Sequence, residues 1–252
     1  MKRLVWLTFL LILSMGTVLA QATATQPSPT ASAATPTADQ IIDNYVKALG
    51  GKDALAKVNS RVAKGKLDIA AANISGTFEA QNKGPNLTSM NAELANFGTL
   101  RQGYDGTVAW EANPMVGLRE KSGVELADTK LEAELQREIK FKELYPKLEA
   151  KGKQKVGEKD AYVVLATPKE GTPITMFFDA QSGLLLKDEQ ERETPEGKVP
   201  TQTFLEDYRE VDGIKIPFKV RQVNPMFELV ITFTEIKHNG TIDDTKFKKP
   251  AN

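Results

Sequence analysis

Ile214-Lys215-Ile216-Pro217-Phe218-Lys219-Val220-Arg221 puts an apolar side chain at every second position and a cation or a proline between them. Successive side chains of a strand point to opposite faces, so the stretch predicts a β-strand with one dry face and one wet. The same period runs through Ile74, Gly76, Phe78 and Ala80, through Ile174, Met176 and Phe178, and through Leu229, Ile231 and Phe233. Between such runs stand Tyr104-Asp105-Gly106, Asp179 to Gly183, Pro195-Glu196-Gly197 and Asp212-Gly213. These residues tolerate the tight reversals that join antiparallel neighbours. The pattern predicts about nine to eleven strands in meander order.

Two segments keep a helical period instead. Thr37 and Gln40 have the spacing of a capping box, Ile41, Tyr45 and Leu49 fall on one stripe with Ile42 and Val46 beside it, and Gly50-Gly51 offers a left-handed stop. Lys52 to Val58 predicts a further short turn. Gly123 to Tyr145 is rich in Glu, Lys, Leu and Ala, with Leu126, Leu131, Leu135 and Ile139 as a loose stripe and Pro146 as its end. A long sheet that is dry on one side needs a cover, and these helices are the available one. The expected fold is mostly β with helices (α+β): an incomplete antiparallel β-barrel, or half-barrel, with helices over its concave face. With no internal repeat and no second linker, it forms one domain over residues 39–250.

The start of the chain reads as an address. Lys2 and Arg3 precede the apolar run Leu4 to Leu13, and Val18-Leu19-Ala20 suits cleavage before Gln21, so residues 1–20 are expected to be a signal peptide. The apolar run is about half of what spans a bilayer. No cysteine follows the cleavage site to carry a lipid anchor. Residues 21–38 contain Ala, Thr, Pro, Ser and Gln without charge or a large apolar group, the composition of a disordered linker. The expected product is exported, soluble and periplasmic.

Composition narrows the chemistry. Without cysteine there is no disulfide, thiolate nucleophile or cysteine metal site. Lys and Arg together number 33, as do Asp and Glu, and loss of Lys2 and Arg3 leaves two more acids than bases. A near-neutral chain without a basic block has no electrostatic reason to bind nucleic acid. The single histidine, His238, cannot build a multi-histidine metal site, and no serine sits in a G-x-S-x-G elbow. Glu189, Glu191 and Glu193 alternate along one strand, flanked by Lys187 and Arg192, which reads as a solvated face and not as an acid–base pair in an apolar pocket. Asp179 to Gly183 begins like a calcium loop but lacks its closing acid, so it reads as a hairpin turn. No catalytic residue, metal or cofactor is expected, and the protein is read as a non-enzyme.

What remains is apolar. Phe97, Trp110, Met115, Met226 and Phe227 fall near predicted turns, where large apolar side chains suit a cavity mouth or an interface. With Met90, Met176, Phe178, Leu184 and Leu186 they are the expected lining of an apolar ligand cavity, methionine being suited to a deformable wall.

Three segments then carry a family resemblance: Pro85-Asn86-Leu87; Tyr104-Asp105-Gly106-Thr107-Val108-Ala109-Trp110-Glu111-Ala112-Asn113-Pro114; and Asn239-Gly240-Thr241-Ile242-Asp243-Asp244-Thr245-Lys246-Phe247. In order and spacing the chain resembles the periplasmic carriers that sort lipoproteins to the outer membrane, the LolA/LolB-like family. The resemblance implies a lidded half-barrel whose partners are lipid or lipoprotein acyl chains and a membrane-bound donor or acceptor protein. In those carriers an arginine precedes the proline and an aromatic follows the leucine, serving lid control and handover; here those positions hold Gly84 and Thr88. The expected function is a periplasmic carrier or binding protein for acyl chains or another amphiphile. The alternative is a non-catalytic structural or interaction module of the cell envelope with a filled core.

Overall fold

The computed structural model describes residues 35–195 and 197–251. The expected signal peptide, and the expected linker up to residue 34, lie outside the described residues. Helix α1 (Ala38–Leu49) and the short α2 (Lys52–Ala56) open the chain. Six strands follow: β1 (Ser60–Ile69), β2 (Ile74–Lys83), β3 (Leu87–Leu94), β4 (Gly98–Tyr104), β5 (Ala109–Asn113) and β6 (Gly117–Glu120). A helical passage holds α3 (Gly123–Ala133) and the single turn α4 (Phe141–Leu144). Seven more strands complete the sheet: β7 (Lys147–Val156), β8 (Lys159–Thr167), β9 (Ile174–Asp179), β10 (Leu185–Thr194), β11 (Gly197–Val211), β12 (Ile214–Val223) and β13 (Glu228–His238).

All thirteen strands belong to one antiparallel sheet, in the order β6-β5-β4-β3-β2-β1-β13-β12-β11-β10-β9-β8-β7. Two meanders are thus stitched together where the first strand meets the last, with Arg61 opposite His238 and Ala63 opposite Ile236. β6 and β7 are neighbours in sequence but lie at opposite edges, so the sheet does not close into a barrel. The passage through α3 and α4 spans from one edge to the other, and α3 touches both β4 and β10 on its way.

Thirteen strands exceed the nine to eleven that alternation predicts. Two that carry no alternation are β6 (GLRE) and β7 (KLEAKGKQKV), short or charged segments without a dry face. They include both sheet edges, where charge, and lysine above all, keeps unpaired backbone from recruiting another chain. The helix expected from Gly123 to Tyr145 is also interrupted. After Ala133, Glu134 turns extended (ψ 109°) and the amide of Leu135 leaves the helical ladder to donate to the Pro85 carbonyl at 2.9 Å.

α1 forms as its sequence demands: the Thr37 side chain accepts from the Gln40 amide while the Gln40 side chain accepts from the Thr37 amide. Its stripe of Ile41, Ile42, Tyr45, Val46 and Leu49 joins Ala63, Val164, Met176, Phe178, Ile214, Ile216, Phe218 and Ile236 in one buried cluster. The face of the sheet that carries these residues is called the inner face below. Ile42 and Phe178 are each 1% exposed and Val164 0%, so this part is filled. Full burial of one such side chain stabilises by about 1.5–3 kcal/mol. A second cluster gathers Leu67, Phe78, Ala92 and Leu94 with Met90, Phe97, Leu100, Leu229 and Ile231, and Phe233 packs against both clusters. No residue of α1 to α4 belongs to this second cluster.

Candidate functional site

Beneath α3 the inner face changes character. Asp128 and Glu132 stand one helical turn apart on α3, and Leu131 lies between them. The turn after Ala133 brings in Arg137, and strand β10 contributes Asp188, Gln190 and Arg192 at period two. Together with Tyr145, Thr172, Ile174, Thr203 and Leu205 these side chains line a pocket of about 250 Å³.

Two of the carboxylates are engaged. Asp128 accepts from the Thr172 amide at 2.6 Å and from its hydroxyl at 2.7 Å, tying α3 to the loop before β9. Glu132 pairs with an Nη of Arg192 at 2.8 Å. Arg192 Nε is shielded from water and has no hydrogen-bond partner. Among the described residues, Arg137 and Asp188 form no ion pair, with each other or with anything else, although both face the same pocket. Side-chain exposures of 34% for Arg192 and 42% for Glu132 show that the pocket stays wet despite its depth.

The electrostatics follow from this geometry. Burial pushes the Asp188 carboxyl up to about 6, against the pull of Arg192, Arg137 and the Thr203 hydroxyl. Burial opposes the charge on Arg137, but Tyr145, Glu138, Tyr45 and Glu132 outweigh it and hold the guanidinium above its usual range. Glu132 is likewise desolvated, yet Arg192 and Arg137 keep it below the ordinary carboxylate value. At the far side of α3, Arg119 of β6 holds Glu111 at 2.7 Å and Glu125 at 2.5 Å. α3 buries only Thr129 and Ala133, so polar ties at both ends contribute much of its attachment.

The ten apolar residues singled out from sequence lie in several places, and none of them lines this pocket. Met176 and Phe178 are in the filled cluster under α1, with the Phe178 ring centred 5.2 Å from that of Tyr45, and Leu184 packs at the margin of the cluster. Leu186 sits in a different cluster with Val163 and Phe177. Met90 and Phe97 belong to the second inner cluster. Trp110 is buried, but its indole N–H donates to the Phe247 carbonyl at 2.9 Å, anchoring the C-terminal turn. Met115 and Met226 are 79% and 67% exposed in the β5–β6 and β12–β13 turns, with Phe227 half-buried beside the latter.

Arg137, Glu132, Asp188 and Arg192 were not among the residues expected to matter. One signal was available: β10 reads LLKDEQERET, polar at odd and even positions alike, which a strand with a dry face is not. Arg192 reads in the sequence only as a cation flanking the solvated face of Glu189, Glu191 and Glu193. The structure turns it the other way, because period two groups it with Asp188 and Gln190.

No protein-family model matches the chain, and no curated protein matches it. Solved structures do. The chain is similar to a DUF1329 family protein from Desulfovibrio piger (TM-score 0.58, 14% identity, covering 85% of this chain and 98% of that one). It is similar to a LolA superfamily protein from Nitrosomonas europaea (0.54, 15%, covering 85% and 99%). A third likeness is to a domain described as an outer membrane lipoprotein-sorting protein from Vibrio parahaemolyticus (0.54, 10%, covering 84% and 97%). At these identities the likeness is one of fold, that of the open antiparallel sheet described above. The fold resemblance drawn from the three sequence segments therefore stands.

Proposed function

We propose that the protein is a periplasmic binding or carrier protein for lipoprotein acyl chains or another amphiphile, held on the inner face of a half-barrel, and that it is not an enzyme. One observation carries this reading. The inner face carries a run of apolar side chains from the buried Phe218 through the partly buried Phe233 to the buried Phe78, and it adjoins a wet, charged pocket under α3. An apolar floor beside a polar recess has the two-part chemistry of an amphiphile. The likeness in fold to a LolA superfamily protein supports it.

The chain would lie over the second cluster, where Met90 and Phe97 contribute side chains that are only partly buried. Each buried methylene stabilises by about 0.8 kcal/mol, so a long acyl chain represents on the order of 10 kcal/mol before ordering costs. Release then needs a membrane or a membrane-bound acceptor that offers equal burial. The filled packing around α1 favours the second reading, an interaction module of the cell envelope without a guest. The two separate by experiment. Protein purified from its native compartment is extracted and examined for acyl lipid by mass spectrometry, and titrated with an apolar fluorescent dye. Co-purifying lipid and dye enhancement are expected; empty extracts with no enhancement would leave the interaction module.

A further inference from the structure

We propose that the pocket under α3 receives a zwitterionic headgroup, its phosphate or carboxylate on Arg137 and its ammonium on Asp188. This rests on the amphiphile reading above and names the head of the ligand.

Buried ions are normally paired, because desolvation costs several kcal/mol that only a partner offsets. Here Asp128 is satisfied by Thr172 and Glu132 by Arg192. What is left over is one guanidinium, Arg137, and one carboxylate, Asp188, whose neutral partner is the Thr203 hydroxyl. Arg137 and Asp188 do not meet each other, so each presents its charge to the same 250 Å³ space. A purely anionic head would be attracted by Arg137 and repelled by Asp188, with Glu132 and Glu138 adding to the repulsion. A purely cationic head would meet the reverse conflict. A head carrying both charges satisfies both residues, and planar guanidinium donors suit phosphate or carboxylate oxygens. Leu131, Ile174 and Leu205, which also line the pocket, suit the methylenes between them. The recess has room for a headgroup and not for a long acyl chain, which places the chain outside it on the apolar floor.

The groups that bear on pH are Asp128 and Glu132 from α3, Arg137, Glu138 and Tyr145 from the passage after it, Tyr45 from α1, and Asp188 and Arg192 from β10. Of these, Asp188 changes charge nearest neutrality, so preference for the ammonium-bearing head should fade as acidification protonates it.

The test uses the full chain lacking only its leader, and calorimetric titration with short-chain phosphatidylethanolamine, phosphatidate and diacylglycerol of matched chains. Soluble glycerophosphoethanolamine forms a fourth arm. Phosphatidylethanolamine is expected to bind about tenfold more tightly than phosphatidate at pH 7.5, a gap of about 1.4 kcal/mol. That gap should narrow at pH 5. Asp188→Asn should bring the ratio near one at both pH values, and Arg137→Gln should weaken both phospholipids, with circular dichroism confirming the fold of each variant. If the three lipids bind alike, the head recognition is overturned while the carrier reading stands. If the soluble head binds as tightly as the lipid, the site holds but its ligand is a free zwitterion, and the carrier reading falls. If nothing binds, both fall.

Discussion

Arg192 of β10 reaches across to hold Glu132 of α3 at 2.8 Å, and it does so with an Nη, leaving its Nε without an acceptor. This pair, the Asp128–Thr172 contact and the Arg119 contacts to Glu111 and Glu125 fasten a helix that buries little apolar surface of its own. Helix attachment by polar ties differs from that of α1, whose five large side chains enter the core.

Glu132→Gln should therefore loosen α3 more than it destabilises the protein. Both partners are partly exposed, so the global loss is expected to be about 1 kcal/mol or less by urea denaturation. Amide exchange over residues 123–133 should quicken clearly, while α1 stays protected. Uniform change across both helices would show that α3 is not a separately held element.

Asp188 gives stability a pH dependence of known sign. Its folded-state value, about 6, lies above the usual carboxylate value, so the native state binds the extra proton. The contribution is fully present below about pH 4 and is lost as pH rises through 6. Asp188→Asn cannot ionise and should be more stable than the parent at pH 7.5, by about 2 kcal/mol after allowance for water in the pocket. The advantage should vanish at pH 4. An advantage that persists there would place its origin in packing instead.

How far sequence reading reaches is clear from individual elements. β12 announces itself because it keeps one dry face, and Thr37 with Gln40 marks the start of α1 through contacts three residues apart. β6 and β7, the two edges of the sheet, carry no such mark, because edge strands are shaped by the need to avoid pairing. The pocket was hidden for a different reason. Asp188 and Arg192 alternate with Glu189, Glu191 and Glu193, and nothing local says which set faces inward. That is decided by the pairing of Met176 with Asp188 and of Thr203 with Asp188, and by α3 arriving from 56 residues earlier, as the span from Glu132 to Asp188 shows. The face of Trp110 is hidden likewise: its register opposite Gly103 fixes it, and that register is set by the pairing of β4 with β5.

His238 offers the cleanest spectroscopic check, since it is the only histidine. Its side chain is 1% exposed, its Nδ1 lies 3.0 Å from an Asp212 carboxylate oxygen, and its Nε2 accepts from Arg61 Nε at 3.3 Å. Burial, with help from the Arg61 charge, lowers its value below the ordinary histidine range despite Asp212. Stability from this group is complete above about pH 6.5 and is lost as pH falls from there toward the lowered folded value. Proton NMR should show one imidazole titration with a midpoint below 6.5, and Arg61→Gln should move that midpoint upward. A midpoint above 6.5 in the parent would mean that Asp212 dominates the site.

Trp110 joins two parts of the chain that are far apart in sequence, and the joint can be broken from either side. A side-chain carbon added to Gly103 would come within 2.8 Å of the indole ring, so the ring lies against a position where only glycine leaves room. The indole N–H in turn donates to the Phe247 carbonyl, and Phe247 is fully buried. Trp110→Phe removes the donor and part of the ring, leaving a buried carbonyl without its partner, a loss of about 1–3 kcal/mol. Gly103→Ala keeps the donor but displaces the ring, costing about 1–3 kcal/mol through overpacking. Both variants should release the C-terminal turn at Asp244–Phe247, seen as faster proteolysis after residue 239. A variant in which thermal stability falls but the C-terminus stays protected would show that the tail is held by Phe247 packing alone, without help from the indole.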